Sequence, residues 1–376
     1  MKKYLEIMQD IIENGEEHVA RTKENRISIF GVMAKFKMAD GFPLVTTRSV
    51  PYKSMIKETL WFLTGSNNIT SLQEQGVHIW DSWALNKDNL MDAYINMNKK
   101  VGLLPNEDDP AFLAHLEASK EIMQNDIGNI GYMYGNLWRN HPNPKYLNSK
   151  IHPGNLEDKS MYVASDKMAI FIAEYAAMPE DVKVNHCLTL EKHIRYRSVD
   201  TIDQIQELIV NLRERPFSSR HVVSAWSVGL VASEKFTPQE NVYLGNGSLA
   251  ACHAMFQCMV KEGKDGGKKR LSLMMYQRSA DFPVGSVFNI AQYALLLHLF
   301  AHVTDMEADE LIYTIGDCHI YDNQLELAKE QLTRAPRELP TIRILTDEKD
   351  IFKIRAEDIE IIGYVPDKAI AYPIAI

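Results

Sequence analysis

The sequence predicts an α+β fold, and three observations favour this class. Apolar residues recur at helical spacing in some segments and alternate as in strands in others, so both element types are present. These segments do not follow the regular βαβ order of a doubly wound sheet. The 376 residues contain no internal repeat, low-complexity tract or Pro/Gly/Ser-rich linker, so a single domain is predicted over residues 1–376.

Amphipathic periodicity predicts the helices. The first, MKKYLEIMQDIIEN, carries one apolar face and ends at Gly15. Asp109-Pro110 and Asp200-Thr201 have the composition of helix starts, in which a polar side chain caps the first turn. The predicted helices cover residues 1–14, about 51–64, about 110–124, about 166–178, 201–214, 288–304 and 320–333.

Runs rich in β-branched and aromatic residues predict strands between these helices. The segment KDGG at 264–267 predicts a hairpin turn between two of them. Two polar regions, about 84–128 and 141–200, are predicted to be insertions within the single domain. The predicted strands are Ile27–Met38, His221–Val228, Cys252–Lys261, Arg270–Ser279, Leu311–His319 and Asp358–Val365.

Composition limits the classes of function. Acidic residues outnumber basic ones by 50 to 41, so the net charge is −9 and the basic surface of a dedicated nucleic-acid-binding protein is missing. An anionic ligand would therefore need a local cluster of arginines. The four cysteines, at positions 187, 252, 258 and 318, show no C-x-x-C spacing, which argues against a disulfide framework and a structural zinc site.

No segment has the features of a targeting signal or a membrane span. The N-terminal stretch lacks an uninterrupted apolar run and a small-residue cleavage site. The most apolar stretch, Ala291 to Val303, contains Gln292, His298 and His302 and is too short and too polar to cross a bilayer. The sequence therefore predicts a cytoplasmic protein in a reducing compartment.

Cys252 opens a predicted strand and is the first candidate for chemistry. A cysteine in a strand is more often a small buried apolar residue than a nucleophile. Its neighbour His253 points to the opposite face of the strand, so the pair does not imply a Cys-His hydrolase arrangement. On the strand pattern alone, both interpretations of Cys252 stay open.

Polar residues gather where the next two predicted strands end. Arg278, Ser279 and Asp281 close one apolar strand, and Asn289 follows at the start of a buried helix. Buried charges need partners, and a salt-bridged turn with an asparagine cap explains Asp281 and Asn289 but leaves Arg278 without a role. The segment GDCHIY at 316–321 ends another strand in the same way.

Taken together, these segments resemble the thymidylate synthase family nearly end to end. Several independent motifs occur in the family's order, and from Arg278 onward the match has no apparent insertion. The stretches that carry the resemblance are RT at 21–22, DGFPLVTT at 40–47, ETLWFLTG at 58–65, IWDSW at 79–83, YG at 134–135, SR at 219–220, CH at 252–253, RSAD at 278–281, FNI at 288–290, GDCHIY at 316–321 and PIAI at 373–376.

The resemblance implies a mixed β-sheet with packed helices, and a homodimer with the sheet at its interface. It implies dUMP as the substrate and 5,10-methylenetetrahydrofolate as the co-substrate, with no metal. Cys252 would attack C6 of the uracil ring, which turns C5 into a nucleophile. A free cysteine, with a pKa of about 8.5, is only a few per cent ionised at neutral pH, and Arg278 nearby would raise that fraction.

The family's phosphate contacts map onto four positions of this chain. A phosphate dianion needs several charge-assisted hydrogen-bond donors. By resemblance, Arg21, Arg278 and Ser279 supply them within one subunit. Arg220 matches one of two arginines that the partner subunit contributes, so the resemblance implies that residues cross between the sites of the dimer.

The base and sugar contacts map onto a second group of residues. By resemblance Asn289 reads the base, because an amide both donates and accepts and can match O4 and N3–H of uracil. Cytosine presents a donor and an acceptor in the opposite order, so mispairing would select against it. His319 and Tyr321 carry over as holders of the deoxyribose 3′-hydroxyl, and Asp281 as a further contact of both the substrate and the folate.

Two more residues carry over as catalytic groups, and others as folate contacts. Glu58 resembles the carboxylate that organises proton transfers, and burial would raise its pKa usefully. Tyr134 resembles the tyrosine placed near the C5 proton. The implied folate-binding positions are Arg48, Ile79, Trp80, Asp281, Gly285, Phe288 and Ala375.

Four features depart from the family pattern. Ala251 replaces a proline before the nucleophile, and Ser227 replaces an asparagine. His221 replaces the second of two adjacent arginines, which weakens part of the phosphate clamp. The loop at 23–26 replaces a glycine-containing loop beside the phosphate. None of these changes removes the nucleophile, the base-reading amide or the buried carboxylate, but they leave the product open.

The family contains sister enzymes that make a hydroxymethyl group on dUMP or dCMP. In them the exocyclic methylene takes water, whereas a synthase delivers hydride from the folate. Hydride transfer is predicted here, because Trp80 and the C-terminal tail that excludes water are present. The sequence also leaves open a non-catalytic nucleotide-binding homologue, and a structural zinc protein that uses Cys252, Cys318 and His319.

Overall fold

The computed structural model describes residues 1–19, 24–101, 123–142 and 201–374. The predicted helix at 166–178, most of that at 110–124 and the helix start at 109–110 lie outside the described residues, as do Arg21 and Ala375. Of the predicted insertions, residues 84–101, 123–128 and 141–142 are described. The single-domain organisation stays a prediction.

The helices and strands of the described ranges are numbered in chain order. The α-helices are α1 (Lys2–Asn14), α2 (Tyr52–Thr64), α3 (Thr70–Gln73), α4 (Leu90–Lys100), α5 (Tyr134–Arg139), α6 (Gln204–Glu214), α7 (Pro238–Tyr243), α8 (Ser286–Val303) and α9 (Leu325–Leu332). The strands are β1 (Glu16–Val19), β2 (Asn25–Lys37), β3 (His141–Pro142), β4 (Thr201–Ile202), β5 (Val222–Ser224), β6 (His253–Lys261), β7 (Arg270–Asp281), β8 (Glu307–Tyr321), β9 (Thr341–Ile344) and β10 (Ile359–Ile362).

Six of the strands form one mixed sheet in the order β1-β2-β8-β7-β6-β5. β7 and β8 run parallel, and the other neighbouring strands of this sheet run antiparallel. β9 pairs with β10 and β3 pairs with β4 in two further two-stranded sheets. The predicted α+β class, with a mixed sheet and packed helices, is confirmed.

The core lies between one face of the large sheet and helices α1, α2 and α8. α8 is apolar on all sides because it is enclosed by the sheet and by α2. Among the described residues, α8 is the one helix long and apolar enough to span a membrane, and 83% of its apolar window is buried inside the protein. α1 stacks its Tyr4 ring on Phe282 at 4.7 Å, which anchors the N-terminal helix beside the end of β7.

Two helix boundaries differ from the prediction. Residues 201–202 form β4, and Asp203 caps α6 by accepting a hydrogen bond from the Gln206 N–H at 3.0 Å. The helix predicted from residue 320 begins at Leu325, because the chain up to Tyr321 pairs with β2 as a strand. Both errors arise where pairing with a segment distant in sequence decides the conformation.

Several short elements were not predicted, among them α4, α5 and α7. α7 begins with a capping box between Thr237 and Glu240, a sequence signal that would have predicted it. α4 lies within the predicted insertion at 84–128 and packs against α7. A second, smaller cluster of buried apolar side chains lies there, formed by Leu85, Leu90, Ala93 and Met123.

Gly135 allows α5 to approach α2 closely. A Cβ at this position would lie 2.1 Å from the carbonyl oxygen of Phe62 and 2.5 Å from its Cα, and backbone atoms cannot yield as a flexible side chain would. On an open helix, Gly→Ala stabilises by about 1 kcal/mol. At Gly135 the clash outweighs this gain in helix propensity, so an alanine would destabilise the protein and the two helices would have to separate.

We expect Gly135→Ala to lower the free energy of unfolding by roughly 2 kcal/mol, because overpacking at a rigid contact has this magnitude. Urea denaturation measures the change. Gly76→Ala is the matched control, since a Cβ there meets no atom within 4 Å and only its positive φ of 73° is costly. Equal losses for the two variants would contradict the role of the close approach.

Candidate active site

Three clusters that are separate in the sequence meet where the central strands β7 and β8 of the large sheet end. β7 and β8 are parallel, so their carboxyl ends lie together, and their register sets Asp281 beside His319. The Arg278 N–H donates to the Cys252 carbonyl at 2.8 Å, which brings the start of β6 to the same place. Helix α8 begins directly after β7 and places Asn289 behind these strand ends.

Cys252 is half-buried beside the guanidinium of Arg278. Arg278 Nη2 lies 3.9 Å from Cys252 Sγ and donates to the Ala250 carbonyl at 3.2 Å. Burial raises the pKa of the Cys252 thiol, and the positive charge of Arg278 opposes that rise. Arg278 thus lowers the pKa of the thiol, as expected, but burial raises it by more.

Tyr134 joins the cysteine to a wall of aromatic rings. Its hydroxyl accepts a hydrogen bond from the Cys252 N–H at 3.1 Å. Its ring lies 5.3 Å from Phe62, 5.9 Å from Trp80 and 4.6 Å from His253, measured between centroids. Burial raises the pKa of the Tyr134 hydroxyl well above its ordinary value, so this group stays protonated at neutral pH.

Glu58 faces the interior from α2 and is only 7% exposed. Its two carboxylate oxygens accept hydrogen bonds from Trp80 Nε1 at 2.8 Å and from Gln292 Nε2 at 2.7 Å. Burial raises the pKa of Glu58 to about 7, although both hydrogen bonds lower it. A carboxyl group with this pKa is available as a proton donor and as a proton acceptor near neutrality.

Asn289 lies in a row of three buried amides. Its Oδ1 accepts a hydrogen bond from Gln277 Nε2 at 3.0 Å, and its Nδ2 donates to Gln292 Oε1 at 3.2 Å. Gln277 Oε1 accepts in turn from the Tyr313 hydroxyl at 2.5 Å. Since Gln292 also donates to Glu58, a single side chain connects the base-reading candidate to the catalytic carboxylate candidate.

Ser279 belongs to an ionic cluster at the end of β7. Its hydroxyl donates to Asp317 at 3.3 Å, and Asp317 pairs with Arg26 Nη1 at 2.8 Å. The same Arg26 nitrogen lies 3.2 Å from His319 Nδ1. Burial would raise the pKa of Asp317, but hydrogen bonding to His319 and the charges of His319 and Arg26 hold it below its ordinary value.

His319 and Tyr321 both lie at the end of β8, which extends two residues beyond the predicted strand end at His319. The His319 ring is buried, its Nδ1 is 3.3 Å from Asp317, and it meets the Tyr321 ring edge-on at 5.1 Å. Asp281 accepts a hydrogen bond from Gln324 Nε2 at 3.0 Å. Burial raises the pKa of Asp281, and this hydrogen bond opposes the rise.

The residues implied for the folate differ in their exposure. Trp80 is buried within the wall of aromatic rings, and its ring lies 5.9 Å from that of Trp83. The neighbouring Ile79 is 45% exposed. Gly285 and Phe288 lie at the first turn of α8 and are partly exposed. Trp80 is joined to Glu58 by a hydrogen bond, and the folate contacts implied for the other three stay predictions.

Arg48 is buried away from solvent. Its guanidinium donates to the carbonyls of Pro283 and Ile370 and lies 5.0 Å from the centroid of the Tyr372 ring. It therefore ties the loop after β7 to the C-terminal segment. Its implied contact with a folate tail stays a prediction.

Arg220 does not join the cluster around the cysteine within one chain. It is exposed and lines a cavity of about 190 Å³ beside α6 and β5. The buried His221 donates from Nε2 to the carbonyls of Arg215 at 3.1 Å and Pro216 at 3.0 Å. This bond commits the ring to the backbone, so the departure at position 221 has a structural role.

Gln277, Gln292 and Arg26 belong to this site but were not predicted. Gln292 lies three residues after Asn289, a spacing that places both on one helix face and was a usable signal. Gln277 directly precedes Arg278 in the motif that was recognised. Arg26 could not be predicted from the local sequence, where it lies in the loop at 23–26 that departs from the family pattern. Its partners, Asp317 and His319, are on β8.

The sequence left open a zinc site built from Cys252, Cys318 and His319. Cys318 is buried on β8. Within the ranges that the structure describes, no group of three or more His, Cys, Asp or Glu side chains is arranged to hold a metal ion. The described residues therefore do not support a zinc site.

Comparison with known proteins gives one consistent result. The family model described as Thymidylate synthase matches residues 2–376. Proteins named Thymidylate synthase from Listeria monocytogenes serotype 4a (strain HCC23) and serotype 4b (strain F2365) are each 33% identical to this chain over 386 residues, with 100% of both chains covered. A protein of that name from serovar 1/2a (strain ATCC BAA-679 / EGD-e) is 32% identical over the same span. The resemblance carried by the motifs is confirmed, and the chain belongs to the thymidylate synthase family of one-carbon transferases.

Proposed function

We propose that this enzyme transfers a methylene group from 5,10-methylenetetrahydrofolate to C5 of dUMP and reduces it, giving dTMP. The observation that supports this most directly is the connection of Cys252, Glu58 and Asn289. Tyr134 and Trp80 link the cysteine to the carboxylate, and Gln292 links the carboxylate to the amide. A nucleophile, a proton-transfer group and a base-reading group are thus connected through Tyr134, Trp80 and Gln292.

The covalent step uses the sulfur of Cys252. The thiolate forms a bond to C6 of uracil, and the electron pair of the C5=C6 bond moves toward C5 and O4. Arg278 lies beside the sulfur and favours the thiolate over the thiol, against the effect of burial. After C5 has been modified, the S–C6 bond breaks and the thiol is restored, so the enzyme returns to its starting state.

Glu58 handles the protons that this chemistry releases and consumes. Its pKa of about 7 suits both directions of transfer. The indole N–H of Trp80 and the amide of Gln292 hold the carboxylate in one orientation. The protonated hydroxyl of Tyr134 lies next to the nucleophile and directs the C5 proton toward a base.

Asn289 selects the base. Within the protein it uses one hydrogen of its Nδ2 and one lone pair of its Oδ1. The Asn289 side chain also interacts with the His253 ring, and its donor and acceptor ends are proposed to meet uracil O4 and N3–H. Cytosine would meet donor against donor at the same place, so dUMP is the proposed substrate rather than dCMP.

The rest of the nucleotide is held along the ends of β7 and β8. His319 and Tyr321 bind the 3′-hydroxyl, while Arg278 and Ser279 bind the 5′-phosphate. Arg21 of the same chain and Arg220 of the partner subunit complete the phosphate site. The cluster around Asp317 holds Ser279 and His319 in register for these contacts.

A homodimer is proposed because the outer face of the large sheet carries a row of apolar side chains that is exposed among the described residues of one chain. Met33, Thr314, Tyr276 and Met255 lie in one row across β2, β8, β7 and β6. The three large apolar side chains in this row are 55%, 40% and 43% exposed, respectively. Exposed apolar patches of this kind mark interfaces. A second copy on this face would exclude water from the row.

The folate is proposed to bind against Trp80, Ile79, Phe288 and Gly285. When bound, it supplies the methylene carbon and the hydride. Trp80 and the rings packed edge-on against it, Trp83 and Tyr134, make this side of the site apolar, which supports exclusion of water from the neighbourhood of Cys252. Hydride transfer is favoured over hydration for this reason.

Incubation with dUMP and 5,10-methylenetetrahydrofolate tests the proposal. We expect a product with the mass of dTMP, together with the absorbance of dihydrofolate. A product one oxygen heavier than dTMP, without dihydrofolate, would show a hydroxymethylase instead. Absence of any product, together with nucleotide binding, would favour a non-catalytic homologue.

A further inference from the structure

The hydrogen bonds along the row of amides around Asn289 all run in the same sense, from Tyr313 through Gln277, Asn289 and Gln292 to Glu58. A side-chain amide can turn by 180° and exchange its donor and acceptor ends with little change of shape. In one orientation Asn289 offers a donor to position 4 of the base and an acceptor to position 3, which fits uracil. The opposite orientation fits cytosine, so whatever fixes the direction of Asn289 also fixes which base is bound.

Gln277 fixes the direction from one end. Its Nε2 donates to the backbone carbonyl of Ser279 and to Asn289 Oδ1, both at 3.0 Å. A carbonyl oxygen can only accept, so a turned Gln277 would place oxygen against oxygen. Gln277 is 2% exposed, so water is not available to relieve such a mismatch.

Glu58 fixes the direction from the other end, through Gln292. In its ionised form the Glu58 carboxylate can only accept, and in that form it is matched by the Nε2 of Gln292, which faces it at 2.7 Å. The Oε1 of Gln292 then faces Asn289 and accepts from its Nδ2 at 3.2 Å. Gln292 is also 2% exposed, and Glu58 itself is held by Trp80 on its other oxygen.

We infer that Gln292 is a specificity-determining residue. Because its Nε2 donates to Glu58, its Oε1 faces Asn289 and holds that amide in the orientation that matches uracil. The inference rests on the proposed function and deepens it. Gln292 does not contact the base in this arrangement and acts as a positioning residue. One carboxylate thus serves both proton transfer and base selection, with a single amide between the two tasks.

The test compares the binding of dUMP and dCMP to the full chain by isothermal titration calorimetry. Gln292→Met keeps the length of the side chain and removes both hydrogen bonds, while Gln277 still holds Asn289 from one side. We expect the preference for dUMP over dCMP to fall roughly tenfold, the equivalent of about one buried hydrogen bond.

Gln331→Met is the matched control. Gln331 is another buried glutamine, bonded to Thr47 and to Tyr372 instead of the amide row. It should lose stability to a similar extent and keep the nucleotide preference of the wild type. If Gln292→Met does not fold, Gln292→Asn replaces it, because its shorter amide cannot span both partners and should show the same loss.

The outcomes separate the inference from the function on which it rests. A wild-type preference for dUMP that the folded Gln292 variant retains overturns the inference alone. A wild-type protein that binds dUMP no better than dCMP overturns the proposed substrate, and the inference with it. A reduced preference in the Gln292 variant, with an unchanged preference in the Gln331 control, supports the inference.

Discussion

Replacement of Cys252 by serine should lower turnover by at least roughly 10⁴-fold, the scale of loss when a covalent nucleophile is removed. A serine hydroxyl has no accessible anionic form near neutral pH, and Arg278 cannot supply enough stabilisation to create one. The change of sulfur to oxygen at a half-buried position leaves the fold intact. Steady-state kinetics with dUMP and the folate measure the loss.

A covalent readout separates chemistry from folding in this experiment. With 5-fluoro-dUMP and the folate, intact-protein mass spectrometry should show an adduct on the wild type and none on Cys252→Ser. Cys258→Ala is the control, because Cys258 lies buried on β6, the strand that begins directly after Cys252, and contributes only packing. Turnover by the serine variant at the wild-type rate would refute the proposed mechanism.

Glu58→Gln should lower kcat by roughly 10²–10⁴-fold, the range for loss of a general acid–base group. An amide cannot exchange protons with the substrate. The wild-type rate should also show an inflection near pH 7, where the Glu58 carboxyl titrates, and the variant should lack it. A pH–rate profile of both proteins measures this, and an inflection retained in the variant would assign it to another group.

The same titration should appear in stability. The folded protein raises the pKa of Glu58 from its ordinary 4.5 to about 7, so it holds the proton more tightly than the unfolded chain does. The stability gained from this proton is fully present below about pH 4.5 and is lost as the pH rises to about 7.

Between about pH 5 and about pH 8, the free energy of unfolding of the wild type should therefore fall by roughly 2 kcal/mol more than that of Glu58→Gln. Urea denaturation at both pH values gives the difference. The buried His253 and His298, whose pKa values burial lowers to about 4, titrate alike in both proteins and cancel in the comparison. Parallel pH dependence would show that Glu58 titrates unperturbed.

Much of the site was accessible from the sequence because its motifs coincide with strand ends. Arg278, Asp281 and His319 could be placed at the ends of β7 and β8 from local pattern and family resemblance. The inward orientation of Glu58 could not, since its partners Trp80 and Gln292 lie 22 and 234 residues away in the chain. A carboxylate in an apolar helical stretch does not reveal which face it occupies.

The fold shows the same division. Long periodic elements such as α1, α2 and α8 were predicted close to their observed bounds. The ends of α6 and α9 were misplaced where β4 or β8 competes for the same residues through pairing that no local pattern encodes. Arg26 could not be recognised from the sequence as part of the site, because its ion pair with Asp317 forms only when β2 pairs with β8.

The parallel alignment of β7 and β8 bears on how the enzyme acquires its activity during folding. Parallel neighbours cannot be joined by a tight turn, and the connection between β7 and β8 contains the 18-residue helix α8. Such non-local pairing is slow compared with helix formation. Arg278 and His319 come together only through this step. During refolding, nucleotide binding should return later than helical circular dichroism, so competence to bind reports completion of the fold.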